Sequence, residues 1–248
     1  LLFGKTSYDV RNRIGLNSNF IPNYQGKEPF RKDDCLSTDD FLVKLDDGEG
    51  YNNMGSMDMG LGRFTVSTKS QAQIAVKKSI DYASTKNLAS SNTNLVSNLA
   101  DWRNTITISA DDDADQNHFG NAESIANFVF NTFPIINVDK IYLDAFKKVS
   151  TSQGQRYPDA TNVMNQRINK GTLIFTYMGH GGDNGWAHER FLKRTDIASW
   201  ENKFNQALFY AGSCSFGVYD KTNSQSPSEE IFLKSDGGGI GVISATRN

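Results

Sequence analysis

Apolar residues fall into two regimes along this chain. Up to residue 64 they come in short pieces, such as Asp40-Phe41-Leu42-Val43, broken by Gly, Asn, Asp and Pro in a turn-rich pattern. The opening Leu1-Leu2-Phe3-Gly4 reads as a buried strand, cut from the middle of a longer protein. Asp58-Met59-Gly60-Leu61-Gly62-Arg63-Phe64 is spaced by glycines that suit close backbone approach to a neighbour. From Ser70 to about Ala83, Ile74, Val76, Ile80 and Ala83 recur at helical spacing and predict a helix with one buried stripe. The Ser/Asn-rich stretch 87–98 reads as a linker or a frayed helical region.

Beyond residue 102 strand and helix patterns alternate. Thr105–Ser109, Val138–Tyr142, Thr172–Tyr177 and Ala207–Tyr210 are β-prone runs. Asn121–Phe130, with Ile125, Phe128 and Val129, and Ala160–Ile168 predict helices between them. Ser226-Pro227 starts another helix, with Glu229 and Glu230 in its first turn. Gly237-Gly238-Gly239 makes a bend before a last strand, Ile240–Ser244. Strands separated by helices imply an α/β fold: a mostly parallel sheet with helices on both faces. Such sheets bind ligands outside the carboxyl ends of their strands. Two glycine-punctuated loops belong there, Gly179-His180-Gly181-Gly182 and Gly212-Ser213-Cys214-Ser215.

If the strands before these loops are neighbours, His180 and Cys214 meet. A cysteine attacks only as thiolate, and an imidazole in reach can stabilise that thiolate and later protonate a leaving amine. The flanking glycines admit a substrate backbone, and the amides of Cys214 and Gly181 are the natural oxyanion donors. Asp111, also following a predicted strand, is placed to orient the histidine. Trp186, Phe216 and Tyr219 flank the two loops and are candidates to line a substrate groove. His118 and His188 are rival bases, and a Gly-His-Gly turn or a buried cysteine also occurs without any chemistry.

Composition narrows the field. Hydrophobic residues make up 38% of 248, enough for a substantial core. The 26 basic and 28 acidic residues leave a net charge of -2 and no basic run, which argues against nucleic acid as a partner. No apolar stretch approaches a membrane span. No Lys/Arg-led signal segment is present, which in a cut piece says nothing about export of the parent. The two cysteines, Cys35 and Cys214, form no disulfide framework, and a reactive Cys214 must be a free thiol. Hard-oxygen clusters Asp112, Asp113 and Asp115, and Asp46, Asp47 and Glu49, suit a structural calcium ion, or are simply solvated acidic runs. His180, Cys214 and an aspartate make a weaker zinc set, with no tight ligand pair. Gly237–Gly239 lacks the lysine and hydroxyl of a phosphate loop.

The motifs in order resemble the gingipain-type C25 cysteine peptidases. Tyr177-Met178-Gly179-His180-Gly181-Gly182 with Trp186 is similar to that family's histidine loop, and Ala211-Gly212-Ser213-Cys214-Ser215-Phe216 to its cysteine loop. Ser37–Phe41 and Gly60–Phe64 resemble its upstream segment, and Ile108-Ser109-Ala110-Asp111 the place of its assisting acid. The resemblance implies a caspase-like fold in two lobes: an incomplete first lobe over 1–98, and a second over 99–248 carrying both loops. Leu45–Gly50, Glu189–Leu192 and Ser244–Arg247 are similar to the family's sortase branch of type IX secretion. That branch implies a cell-surface enzyme on the outer membrane. It would cleave C-terminal sorting domains from protein substrates and pass the new carboxyl end to a lipopolysaccharide acceptor, alongside other type IX secretion components. No cofactor is needed for the chemistry. A secreted endopeptidase without transfer, or a non-catalytic calcium-binding surface module, are the alternatives.

Overall fold

In Thr105–Ala110 the apolar Ile106, Ile108 and Ala110 alternate with Thr107 and Ser109, so one strand can serve two different faces. In the computed structural model, which describes residues 1–16, 19–26, 37–50, 54–84, 101–112 and 117–247, this is strand β1 of a five-stranded sheet. The others are β2 (Asn137–Tyr142), β3 (Ile174–Met178), β4 (Ala207–Gly212) and β5 (Gly239–Ser244). They lie in the order β5-β4-β3-β1-β2, and every pairing is parallel. The chain builds outward from β1 to β2, returns to β3 on the other side of β1, and continues to β4 and β5. The strand order thus reverses between β1 and β3, where the loops above the carboxyl ends diverge and leave a crevice.

Helices cover both faces. Helix α2 (His118–Thr132) sets Ala122, Ala126 and Val129 on Ile106, Ile108 and Ala110. On the opposite face α3 (Pro158–Lys170) brings Ala160, Met164 and Ile168 to Phe175, Tyr177 and Phe209, joined by Ile197 of α4 (Arg194–Ser199) and Ile231 of α5 (Pro227–Leu233). The start of α5 is fixed as its sequence suggests. Ser226 and Glu229 form a capping box, and buried Lys5 pairs with Glu229 at 3.1 Å. The expected α2 stripe is corrected in one respect: Phe128 is exposed, because the small residues Ala122 and Ala126 are what let the helix approach the sheet.

Two further readings change. Leu2–Phe3 is a two-residue strand paired in parallel with Arg63–Phe64, but it is not buried: Leu1 and Phe3 are 75% and 44% exposed. Gly60 and Gly62 face open space; the segment approaches its neighbours through backbone bonds instead, from Leu2 to the Gly62 carbonyl at 2.8 Å and from Gly4 to the Phe64 carbonyl at 2.9 Å. Arg63 organises this region. Its guanidinium grips Asp39 and donates to the carbonyls of Gly4, Ile21 and Pro22.

Helix α1 (Lys69–Ala83) forms where expected, with Thr68 as its N-cap, yet it buries Ala75 and Lys78 and leaves Val76 and Ile80 exposed. The reason is the partner it meets. Ala75 packs with Phe232 and Leu233 of α5, and the Lys78 ammonium donates to the carbonyls of Phe232 (2.8 Å), Gly237 (3.0 Å) and Gly239 (3.0 Å). It thereby caps the end of α5 and the bend before β5. Gly238 in that bend has φ +82, and a β-carbon there would fall 2.1 Å from the Ile231 carbonyl oxygen, so only glycine fits. Lys78→Met should cost about 2–4 kcal/mol of stability, read as a lower urea midpoint, because several buried carbonyls lose their donor. Burial, with the nearby Lys234 charge, pushes Lys78 from 10.5 down to about 7. The unfolded chain therefore binds the extra proton between about 7 and 10.5, and stability should rise with pH across that window. Lys78→Met should abolish the rise.

Candidate active site

Three adjacent strands deliver the candidate residues to one edge. Asp111 directly follows β1, and its amide continues the ladder to the Met178 carbonyl at 2.9 Å. His180 follows β3 by two residues, and Cys214 follows β4 by two. The Gly179 amide bonds the Gly212 carbonyl at 3.2 Å, holding the two loops side by side as they leave the sheet. Beyond that bond the loops press together. A β-carbon on Gly181 would sit 2.7 Å from Ser213 Oγ and 3.4 Å from the Cys214 carbonyl oxygen, so the contact exists only because residue 181 is glycine.

Cys214 is a free, exposed thiol; Cys35 lies outside the described residues. The Cys214 loop is anchored by residues 245–247. Ser215, held at φ 51, donates its amide to the Arg247 carbonyl at 3.3 Å, and Gly217 donates to Ala245 at 3.0 Å. Arg247 in turn binds buried Asp220 at 2.6 Å. A non-glycine residue in left-handed backbone is strained, and such strain persists where the surroundings over-determine the turn.

The role expected of Asp111 is corrected in its route. Its carboxylate, only 3% exposed, accepts the main-chain N–H of His180 at 3.0 Å and the hydroxyl of Tyr177 at 3.1 Å. It therefore fixes the backbone of the histidine loop, and these bonds do not reach the imidazole. The His180 carbonyl is fixed as well, by the Ala187 amide at 2.8 Å and by the same Tyr177 hydroxyl, whose one proton is shared between the carboxylate and this carbonyl at 2.9 Å. Burial raises the pKa of Asp111, against the opposing pull of the His180 and Asp112 amides and the Tyr177 hydroxyl. Burial and the adjacent Asp111 also push Tyr177 well up. Tyr177 was missed as a site residue because it reads as one more aromatic in a β-prone run.

Both rival histidines converge on His180. The His188 ring stacks on it with centroids 5.0 Å apart and planes at 30°, and the His118 ring meets it edge-on at 5.2 Å.

The groove assignments fail for two of the three aromatics. Trp186 and Phe216 are fully buried, 5.1 Å apart, and Trp186 stacks on Tyr177 at 4.5 Å. Large apolar rings gain more by complete burial under the loops than at a wet rim. Tyr219 is half-buried and faces the other way: Asn23 donates to its hydroxyl at 3.4 Å, and Arg63 lies over its ring at 5.6 Å. Trp186 and Phe216 support the loops from beneath.

One of the two acidic groups assembles differently from the sequence reading, and the other is described only in part. Asp113 and Asp115 lie outside the described residues. Asp112 is gathered with Asp111 and Glu189, where the Lys148 ammonium contacts both Asp112 and Glu189, at 3.3 Å in the second case, and supplies positive charge. Burial works to raise Asp112, but bonds from Lys148 and Tyr157 outweigh it and hold its pKa below the usual value. In the other group Asp46 and Glu49 are joined by Asp58, not by Asp47. These three oxygen donors are the set that could hold a hard cation such as calcium.

Comparison with known proteins gives a consistent result. The model of peptidase family C25 matches residues 1–248. Among solved structures, the Arg-specific cysteine proteinase gingipain R (RgpB) is similar over 86% of this chain and 44% of its own, with TM-score 0.63 and 14% identity. The complex of Porphyromonas gingivalis RgpB pro- and mature domains matches with TM-score 0.63 and 16% identity, over 86% of this chain and 45% of that one. The chain thus spans less than half the length of these proteins, and the likeness shows a shared fold. No curated protein matches the sequence.

Proposed function

This chain belongs to peptidase family C25, and we propose that it is a cysteine peptidase in which Cys214 is the nucleophile and His180 the proton carrier. The observation that carries this reading is the seam at Gly181, where the histidine loop lies against Ser213 and the carbonyl of Cys214, with the thiol exposed beside it. In the proposed sequence His180 takes the thiol proton, and the sulfur adds to the substrate carbonyl carbon. Main-chain amides near Gly181 and Cys214 receive the developing oxyanion. The intermediate collapses as the C–N bond breaks, and His180 gives its proton to the leaving amine. The acyl-enzyme thioester remains on Cys214 until a second nucleophile arrives. Asp111 and Tyr177 hold the histidine loop in register throughout.

Within the family we assign the chain to the PorU-type sortases. Its substrates are then exported proteins bearing a C-terminal sorting domain, resolved on the outer surface by the amine of a lipopolysaccharide carrier. Support comes from the sequence pieces Leu45–Gly50 and Glu189–Leu192 and from the chemistry, since a thioester yields to an amine as readily as to water. Among the described residues no helix is long and apolar enough to cross a membrane. The test is product analysis by mass spectrometry. A substrate carrying a sorting domain, mixed with the protein and a primary amine, should give a new amide. A free carboxylate as the sole product would favour plain hydrolysis, and absence of any acyl-Cys214 adduct would remove the peptidase reading altogether.

A further inference from the structure

The chain contains three histidines, and the rings of His118, from another element, and of His188, eight residues further on, both meet the ring of His180. We propose that His188 and His118 are positioning residues that fix the plane of the His180 imidazole, a role that rests on the peptidase reading of Cys214 and His180. The bonds from Asp111, Tyr177 and Ala187 secure the main chain of His180, and the two neighbouring rings act on the side-chain torsions beyond it. Those torsions matter, because the ring must face sulfur when it takes the proton and the leaving nitrogen when it gives the proton back. His188 covers one face of the ring at 5.0 Å and His118 closes on it edge to face at 5.2 Å. Stacked and edge-on arrangements are the favoured aromatic geometries, so together they select one orientation.

His188 is exposed, and what is braced is the backbone on either side of it. It sits between Ala187 at φ 62 and Arg190 at φ 58, two non-glycine residues in left-handed backbone, with the Arg190 amide bonded to the Ala187 carbonyl at 3.1 Å. Its neighbour Glu189 is tied to Lys148 at 3.3 Å, and Arg190 reaches Gln153 at 3.5 Å. This is the strained, over-braced backbone expected where a side chain must be aimed. His118 carries a second mark of function. Its Nε2 is buried and has no partner among the described residues, a cost that a purely structural position would shed by taking an apolar ring.

Steady-state kinetics on His188→Ala and His188→Phe, with His118→Ala as a third variant, separate positioning from mere packing. Outer-shell groups that orient a reacting side chain typically contribute about 10–100-fold. His188→Ala should lower kcat by about that factor with KM little changed, and His118→Ala should lower it by less. His188→Phe restores the stacking ring and should recover most of the activity. The urea midpoint of each variant shows that the fold persists. Unchanged kcat in His188→Ala, or His188→Phe as slow as His188→Ala, overturns the inference while wild-type turnover keeps the peptidase reading intact. A wild-type protein that forms no acyl-enzyme at Cys214 overturns both.

Discussion

Cys214→Ala is expected to abolish peptide cleavage, with kcat down by about 10⁴-fold or more, while the urea midpoint stays where it was. The two halves of this prediction have separate physical grounds. The thiol is exposed and free, so its removal takes away little buried surface and no covalent cross-link. The loop geometry around it does not depend on the sulfur: the Ser215 and Gly217 amides are held by Arg247 and Ala245, and Gly181 abuts Ser213 through main chain and hydroxyl. The chemistry, by contrast, has no substitute. Knocking out the nucleophile of a comparable catalytic unit removes nearly all of its rate enhancement. The decisive measurement is mass spectrometry of protein incubated with an activated peptide ester. The wild type should gain the acyl mass on the peptide containing Cys214, and the alanine variant should gain nothing. An equal adduct in the variant would place the nucleophile elsewhere.

What made the site legible is the parallel sheet. Once Thr172–Tyr177 and Ala207–Tyr210 read as strands with helices between them, the glycine loops after each had to emerge on one edge. The structure places Gly179 and Gly212 in direct backbone contact there. Side-chain direction was less legible. Asp111 follows β1 as expected, yet which atom of His180 it would meet depends on a few degrees of loop backbone that no residue pattern encodes. Trp186 shows the same limit from another side. A tryptophan four residues beyond a glycine loop suits a groove or a core equally, and only the neighbouring Tyr177 and Phe216 decide for the core.

Helix faces were misread where small or charged residues did the packing. In α1 the conspicuous Val76 and Ile80 point outward, because a lysine serves the inward face. Lys78 is attracted there by carbonyls that belong to a helix end and a glycine bend some 150 residues later. Nothing local in α1 announces that demand. Short elements escaped for a different reason. The hairpin of Val149–Thr151 with Gly154–Arg156 and the six-residue α4 are too brief to show a period, and the hairpin is largely exposed.

Asp111→Asn should lower kcat by about 10²–10³-fold with KM nearly unchanged, without a matching loss of stability at neutral pH. The carboxylate accepts three donors: the His180 amide at 3.0 Å, the Tyr177 hydroxyl at 3.1 Å and the Asp112 amide at 3.0 Å. The His180 amide and Tyr177 hydroxyl share one oxygen and the Asp112 amide uses the other, so asparagine can serve only one side, and the brace between β1 and the histidine loop loosens. Faster hydrogen exchange at the His180 amide should accompany the drop in kcat. Stability follows a different rule. Burial raises the Asp111 pKa above 3.8, so as pH climbs from there the unfolded chain releases a proton that the folded one still holds. Stability present in acid is therefore lost as pH rises through the folded value, and at neutral pH the wild type carries the cost of a buried, ionised carboxylate. Asparagine carries no such cost, so urea midpoints measured against pH should show the wild type losing ground to the variant across that window. A variant that kept full activity would remove Asp111 from the site. One that lost activity only by unfolding would reduce the residue to a structural brace.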